Sequence, residues 1–149
     1  MDDKPGIIAI ASDHAGYCMK ESLKKKLIEW GFKVEDFGTA SEESVDYPDM
    51  IHPLARAVND GTFTKAIILC GSGNGVSMVA NKYPKVRAAL CWRPEIVQLA
   101  RQHNDANILA LPARFISEES AEEFVQLFLN TGFEGGRHER RVNKIPPVK

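Results

Sequence analysis

The sequence predicts an α/β protein in which a parallel sheet of five strands carries helices on both faces. Two observations predict this fold class. Short apolar runs of strand length alternate along the chain with stretches whose apolar residues recur at helical spacing. The first run, residues 7–11, is apolar at every position, which is typical of a strand buried on both faces. At 149 residues the chain suits a single domain, residues 1–149.

Each predicted element is bounded by residues that start or stop it. After the first strand, Met19, Leu23, Leu27 and Trp30 recur at helical spacing with lysines between them, and Gly31 ends that helix. A proline in the first turn starts the helix at residue 94. The other strands are predicted at residues 33–37, 65–70, 86–91 and 108–111, and the other helices at residues 48–59, after residue 75, at 94–102 and at 118–129.

The C-terminal tail, from about residue 131, has a different composition. Three glycines interrupt regular structure, and Arg137, Arg140 and Arg141 then crowd together before two prolines. We predict an extended tail rather than a core element. Its arginines form either a solvated terminus or a binding site for an anionic group, and composition favours neither.

Composition narrows the class of protein. A net charge of −1 argues against bulk attraction to nucleic acid or to a membrane surface, and no apolar run has the length of a membrane span. The first residues lack the basic start and apolar core of a signal peptide. Three scattered cysteines without a Cys-x-x-Cys pair predict a reduced, cytoplasmic setting. The four histidines show none of the usual ligand spacings, so no metal site is predicted.

The most informative stretch is the glycine-rich turn after Cys70, with the sequence Gly-Ser-Gly-Asn-Gly at residues 71–75. An apolar run, this turn and a helix-compatible stretch indicate a strand, a loop and a helix in succession. Such a loop aims backbone N–H groups at one point, where they can hold an anion or a developing oxyanion. The thiol of Cys70 is placed at its lip as a nucleophile or a base. A buried core cysteine is the alternative.

Spacing excludes the better-known loops of this kind. A P-loop requires a Gly-Lys pair, which the sequence lacks. A dinucleotide-binding loop would need its third glycine at Val76 rather than at Gly75. A cysteine phosphatase loop would need an arginine at that same position to clamp phosphate. The loop therefore predicts an anion site that has a thiol and a hydroxyl beside it and no cation within it.

Ligands of a doubly wound parallel sheet bind at the carboxyl ends of its strands. This rule gathers at one edge the polar residues that follow strands one, three and five, namely Asp13, His14, Cys70, Ser72 and Arg114. His103 and Asn104 precede strand five, so the rule places them at the opposite edge. Only a neighbouring subunit or an irregular loop would bring them to the site. Helix capping is the alternative role for Asp13 and for His103.

Several short segments of the chain match one family in order, from near the start to near the end. They are residues 13–16 (DHAG), 46–48 (DYP), 70–75 (CGSGNG), 80–82 (ANK), 101–107 (RQHNDAN), Arg114, residues 134–138 (EGGRH) and Arg141. On these segments the chain resembles the ribose-5-phosphate isomerase B family, whose wider group includes galactose-6-phosphate isomerase subunits. The resemblance covers essentially the whole chain.

The resemblance implies a Rossmann-like α/β/α homodimer, with a dimer of dimers left open, and two active sites between subunits, the tail packing on the partner. It implies interconversion of an aldose phosphate and a ketose phosphate without metal or organic cofactor. Cys70 would be the base, and His103 would assist ring opening with Asp13. Ser72 and the loop N–H groups suit the developing enediolate. The residues implied around the substrate are Asp13, His14, Tyr47, Gly71, Ser72, Gly73, Asn74, Gly75, Asn104, Arg114, Arg137 and Arg141.

The substrate stays open at this point. Another branch of the family carries a glutamate just after the glycine loop, where this chain has Val76, so the resemblance implies a cysteine-type member. Ribose 5-phosphate is the default substrate, and allose 6-phosphate and galactose 6-phosphate are the alternatives. Galactose-6-phosphate isomerases divide the site residues between two chains, whereas this chain carries a complete set. A non-catalytic sugar-phosphate-binding protein is disfavoured because Cys70, Ser72 and His103 are all present.

Overall fold

A computed structural model describes residues 6–148. Their five strands form one parallel sheet in the order β2-β1-β3-β5-β4. The strands are β1 (Ile7–Ser12), β2 (Lys33–Asp36), β3 (Ala66–Cys70), β4 (Ala88–Leu90) and β5 (Ile108–Pro112). The predicted fold class and the five-stranded parallel sheet are confirmed.

The helices lie on both faces of this sheet, as the alternating pattern predicts. They are α1 (Tyr17–Glu29), α2 (Tyr47–Asn59), α3 (Asn74–Ala80), α4 (Pro94–Gln102), α5 (Glu118–Asn130) and α6 (Arg137–Val142). Within the described range, none of them is both long and apolar enough to cross a lipid bilayer.

An apolar core lies between each face of the sheet and the helices that cover it. On one face Leu23, Val97 and Phe128 bring α1, α4 and α5 onto the sheet. On the other face Ile51 and Val76 do the same for α2 and α3. The central strand β3 contributes side chains alternately to both cores and is buried throughout. Burial on both faces fixes the register of β3, and with it the position of the loop that follows.

The tail differs from the extended segment that the sequence predicts. Residues 137–142 form α6, in which His138 and Val142 are buried. These two residues are four positions apart, so they share one face of the helix. Gly136, at a φ of +58°, turns the chain into the helix. Six residues with one buried pair make too short a pattern to stand out among glycines and arginines.

The direction of winding changes between β1 and β3. β2 pairs with one side of β1 and β3 pairs with the other. The connections that leave the carboxyl ends of β1 and β3 therefore run to opposite faces of the sheet, and a crevice remains between them. Asp13 follows β1 and Gly71 follows β3 at this crevice.

One charged side chain of α1 lies inside the fold and helps to position the crevice. Lys20 is fully buried, and its amine lies 2.6 Å from Asp36 Oδ2. Asp36 Oδ1 accepts a hydrogen bond from the Gly38 N–H at 2.8 Å, and the Gly38 carbonyl accepts one from the Ser12 N–H at 2.8 Å. These contacts fasten the loop after β2 to the residue that precedes Asp13.

Candidate active site

A pocket of about 390 Å³ opens at the crevice between β1 and β3. All five residues that the strand-end rule gathers at one edge are in its walls. The wall residues are Asp13, His14, Ala15, Tyr47, Cys70, Gly71, Ser72, Gly75, Arg114 and Phe115. The pocket in the structure therefore lies where the strand-end rule places a ligand, and the polar residues predicted there line it.

Cys70 ends β3 and presents its sulfur to the glycine loop. The sulfur accepts a hydrogen bond from the Gly73 N–H at 3.1 Å, and 6% of the residue is exposed. An N–H donor stabilises negative charge on an acceptor atom. The position thus suits a thiolate that works at the floor of a pocket.

The other two cysteines have different surroundings. Cys91 lies in the core, where burial raises the pKa of its thiol to about 12. Cys18 is exposed, and its hydrogen bond to Glu42 raises the pKa of that thiol. Both groups are therefore neutral thiols at physiological pH, and neither is in the walls of the Cys70 pocket.

The glycines of the loop make room for two pocket side chains. A Cβ on Gly75 would lie 2.6 Å from the Tyr47 ring, and one on Gly71 would lie 3.2 Å from the Arg114 side chain. Gly73 has a φ of +77°, and a Cβ there would collide with Leu90. The loop is therefore glycine-rich because Tyr47 and Arg114 lie against it and because its backbone makes a left-handed turn.

Asp13 and His14 form the opposite wall of the pocket. Asp13 is buried, and its Oδ1 accepts a hydrogen bond from the Gly16 N–H at 3.1 Å, so the capping role is real while the residue also lines the pocket. The Val45 N–H donates to His14 Nδ1 at 3.2 Å. This bond assigns the proton of the neutral ring to Nε2. His14 therefore offers an N–H donor to a ligand.

Donors without competing partners surround the pocket mouth. Within residues 6–148, the recorded ion pairs of arginine involve Arg87, Arg93 and Arg101, which leaves Arg114 without a carboxylate. Ser72 is exposed, and its oxygen accepts a hydrogen bond from the Asn74 N–H at 3.2 Å, so its own hydroxyl proton remains free to donate. An anionic ligand would meet these donors without displacing a protein anion.

His103 takes part in a second cluster outside the walls of this pocket. It caps α4, where its N–H donates to the Leu99 carbonyl at 2.9 Å. Its ring stacks on that of His138 with a centroid distance of 4.1 Å and an angle of 11° between the planes. Both rings face Glu134. Burial, together with the neighbouring charges of His103 and Arg137, holds the pKa of His138 below its usual value.

Buried Arg101 holds the backbone around this cluster. Its guanidinium donates to the Thr131 carbonyl at 3.0 Å and to Asp105 Oδ1 at 2.8 Å. The Glu134 N–H in turn donates to the Gln102 carbonyl at 3.0 Å. These bonds tie the start of the tail to the end of α4, which brings α6 beside His103.

Asn104 contributes to a different groove, of about 570 Å³, that lies between residues 81–89 and the tail prolines. This groove is larger than the Cys70 pocket and holds Lys82 and Arg87, but its walls contain no thiol and no histidine. We place the candidate site at the smaller pocket because a potential base, a histidine and an arginine meet there. Of the residues implied around a substrate, Gly73, Asn74, Asn104, Arg137 and Arg141 are not in the walls of that pocket. His103, the residue implied in ring opening, is not in them either.

Four residues of the Cys70 pocket and of the His103 cluster were not predicted as site residues. Ala15 and Phe115 line the pocket, and Phe115 is 76% exposed. Their positions directly after His14 and Arg114 were the available signal. Glu134 and His138 complete the cluster around His103, and their spacing of four on the way into a short helix was the corresponding signal.

Comparison with known proteins decides the family. The model of the Ribose/Galactose Isomerase family matches residues 8–145. The chain belongs to the ribose/galactose isomerase family. A relative in Escherichia coli, ribose-5-phosphate isomerase B, is 41% identical over 142 residues, which are 95% of each chain.

Solved structures of this family have the same fold. A ribose 5-phosphate isomerase from Thermotoga maritima superposes with a TM-score of 0.93 at 51% identity, over 95% of this chain and 98% of that one. Ribose-5-phosphate isomerase B from Mycoplasma genitalium with bound ribulose-5-phosphate gives a TM-score of 0.90 at 40% identity, over 95% of each chain. Both likenesses cover nearly the full length of this chain.

Proposed function

We propose that this protein interconverts ribose 5-phosphate and ribulose 5-phosphate, with Cys70 as the base. One observation carries the proposal: in a member of the ribose/galactose isomerase family, a thiol hydrogen-bonded by the Gly73 N–H lies in the pocket at the switch point of the sheet. The ribulose-5-phosphate complex of the Mycoplasma genitalium relative supports this substrate class.

The chemistry needs one base above one face of the open-chain sugar. The Cys70 thiolate takes the proton from C2 of the aldose and leaves a cis-enediolate whose negative charge lies on O1. The thiol then returns that proton to C1, and the hydroxyl on C2 gives its proton to O1 as the C2 carbonyl forms. A thiol suits both transfers because it ionises far more readily than an alcohol.

The glycine loop would stabilise the enediolate. Ser72 has a free hydroxyl proton, and the Gly73 N–H lies at the Cys70 sulfur, beside the reacting carbons. One such donor is typically worth roughly 10²–10³ in rate. Tyr47, which lies against Gly75, and Asn104 would contact sugar hydroxyls.

The phosphate would be held at a distance from the reacting carbons. Arg114 and the Nε2–H of His14 are in the pocket walls, and within residues 6–148 neither side chain forms an ion pair with a carboxylate. Arg137 and Arg141 would add two more guanidinium groups, each able to hold phosphate through two parallel hydrogen bonds. Binding energy at this remote group orients C1 and C2 over the thiol.

Ring opening must come first, because sugars are mainly closed rings. His103 is suited to this step as an acid and a base near neutral pH, and Asp13 would assist it. Since His103 is outside the walls of the Cys70 pocket, it would have to come from a second subunit.

A homodimer would complete the site. We propose that the tail packs on the partner, and that Cys70 of one subunit works with His103, Asn104, Arg137 and Arg141 of the other. An apolar hollow that includes Leu90, Trp92 and Phe115 adjoins Ser72, and both aromatic residues are more than half exposed. Apolar surface beside an incomplete site is what such an interface would cover.

Mixed dimers test this sharing. Cys70→Ala and His103→Asn chains carrying different tags are co-expressed, and the doubly tagged species is assayed. Each variant alone should be nearly inactive, whereas a mixed dimer has one site that receives both wild-type residues. The isolated mixed dimer should therefore have about half of the wild-type activity per chain. An inactive mixed dimer would place Cys70 and His103 of a working site in the same subunit.

The sugar is tested by assaying ribose 5-phosphate, allose 6-phosphate and galactose 6-phosphate side by side. We expect the highest kcat/KM with ribose 5-phosphate. Preference for either hexose phosphate would move the assignment within the family, and turnover of none would favour the non-catalytic sugar-phosphate-binding alternative.

We place the reaction in the cytoplasm and in pentose phosphate metabolism, in keeping with free thiols at Cys18, Cys70 and Cys91.

Chelation should leave the isomerase active, because the proton transfer by Cys70 needs no metal or nucleotide. Protein treated exhaustively with a chelator is assayed with ribose 5-phosphate before and after addition of divalent ions. Unchanged kcat is expected. Loss of activity that a divalent ion restores would contradict the thiol mechanism and favour metal-assisted isomerisation.

A further inference from the structure

A cluster of three metal-ligating side chains lies where α4 ends against the tail. His103 Nε2 is 3.9 Å from Glu134 Oε1, and His138 Nε2 is 3.5 Å from the same oxygen. One potential ligand atom from each of the three residues lies within 4.8 Å of the other two. Glu134 and His138 come 31 and 35 positions after His103 in the sequence. The bonds of Arg101 bring them together with it.

We propose that His103, Glu134 and His138 form a binding site for Zn²⁺, and that a bound ion withholds His103 from the sugar phosphate. The inhibitory part rests on the proposed function. Two imidazoles and one carboxylate are a donor set that zinc favours, and three protein ligands leave a fourth position open for water or an anion. The site would make the protein sensitive to zinc, with no role for the ion in turnover.

The state of His138 points to a missing partner. Only 9% of its side chain is exposed, and within residues 6–148 its Nε2 has no hydrogen-bond partner although it faces Glu134. A buried polar atom without a partner is costly and uncommon in a native fold. A metal ion at the centre of the cluster would supply that partner.

Small side-chain movements would bring the three donors onto one ion. Zinc ligands lie about 2.0–2.2 Å from the metal, so the present separations must shorten and the stacked rings must tilt apart. Glu134 is 52% exposed in its side chain and follows Gly132, while its backbone is fixed by the bond to Gln102. His103 has 38% of its side chain exposed. Both can turn towards the buried His138 without a change of fold.

The donor set selects the kind of ion. Arg137 precedes His138 directly, and Arg141 lies three residues after it on α6, and their positive charges weaken the binding of every divalent cation. A hard cation such as Mg²⁺ prefers oxygen ligands and gains little from two imidazoles to offset that repulsion. Zinc gains more from imidazole nitrogen and competes better in this setting.

Direct binding measurements test the site without reference to catalysis. The full-length protein is freed of metal, and Zn²⁺ is titrated by calorimetry, with Co²⁺ absorption as a probe of the ligand atoms. The titrations use the Cys70→Ala variant as well, since a thiolate is itself a zinc ligand. We expect one ion per chain in both proteins, a nitrogen and oxygen ligand spectrum, and no binding of Mg²⁺.

Matched variants decide the ligands. His138→Gln and Glu134→Gln should each weaken Zn²⁺ binding by more than about tenfold. Loss of a residue that only hydrogen-bonds to a metal ligand already weakens metal binding by about that much. His52→Gln is the control, because that histidine contacts Tyr83 on another part of the fold. Equal affinity in wild type and His138→Gln, or a thiolate spectrum that disappears in Cys70→Ala, would overturn the site.

The inhibitory part has its own readout. Zn²⁺ should inhibit turnover of ribose 5-phosphate in the wild type, a chelator should restore it, and His138→Gln should need a higher zinc concentration for the same inhibition. Binding without inhibition would refute the withholding of His103 while leaving the site in place. If the proposed isomerase activity itself fails, the calorimetry still accepts or rejects the metal site.

Discussion

Replacing Cys70 by alanine should lower kcat for ribose 5-phosphate by roughly 10²–10⁴, the usual worth of a positioned general base. The base that carries the proton between C2 and C1 is lost, whereas Arg114 and His14 remain in the pocket walls to bind the phosphate. The affinity for substrate, measured by calorimetry on the inactive variant, should stay close to the wild-type KM. Cys70→Ser should be nearly as inactive, because an alcohol is little ionised at neutral pH.

A control for this experiment is available in the same chain. Cys18 is exposed and belongs to α1, and its thiol is kept neutral by the contact with Glu42. Cys18→Ala should therefore retain wild-type kcat and KM. If Cys70→Ala kept more than about a tenth of the wild-type kcat, the thiol would not be the base.

The fold and the Cys70 pocket could be predicted because local patterns and topology agree there. Continuous apolar strands require a parallel sheet, and a parallel sheet requires ligands at its carboxyl ends. Those two rules alone select Asp13, His14 and Cys70, which the structure places in one pocket. The glycine loop could be recognised from sequence. The reason why residue 75 must be glycine could not, because a Cβ there would collide with the ring of Tyr47, which is far away in the sequence.

What sequence patterns could not predict depends on contacts between distant segments. The lysine pattern of α1 predicts that Lys20 lies on the polar, solvent-facing side of the helix. Lys20 is instead fully buried, because Asp36 on β2 pairs with its charge. Likewise, α6 lies where it does because Arg101 bonds to Thr131 at the end of α5. The stacking of His103 on His138 follows from that placement and from no local pattern.

Replacing Arg137 and Arg141 together by alanine should act on the phosphate rather than on the chemistry. Both side chains are exposed on α6, and the described part of the chain records no ion pair for either. A charge-assisted hydrogen bond is worth about 1.5–3 kcal/mol, so losing two guanidinium groups should lower kcat/KM on the order of 100-fold or more. Most of this loss should appear in KM, with some in kcat, because the remote phosphate also orients the reacting carbons.

Competition by inorganic phosphate separates this explanation from a structural one. Phosphate should inhibit the wild type competitively and the double variant much more weakly, because the same two arginines would bind it. The fold should be retained, since His138 and Val142 are the residues that anchor α6. Arg140→Ala changes the charge of the same exposed helix and serves as the matched control, with kcat/KM close to that of the wild type. Wild-type turnover and phosphate inhibition in the double variant would show that the arginine cluster is only a solvated terminus, and the phosphate would then depend on Arg114 and His14 alone.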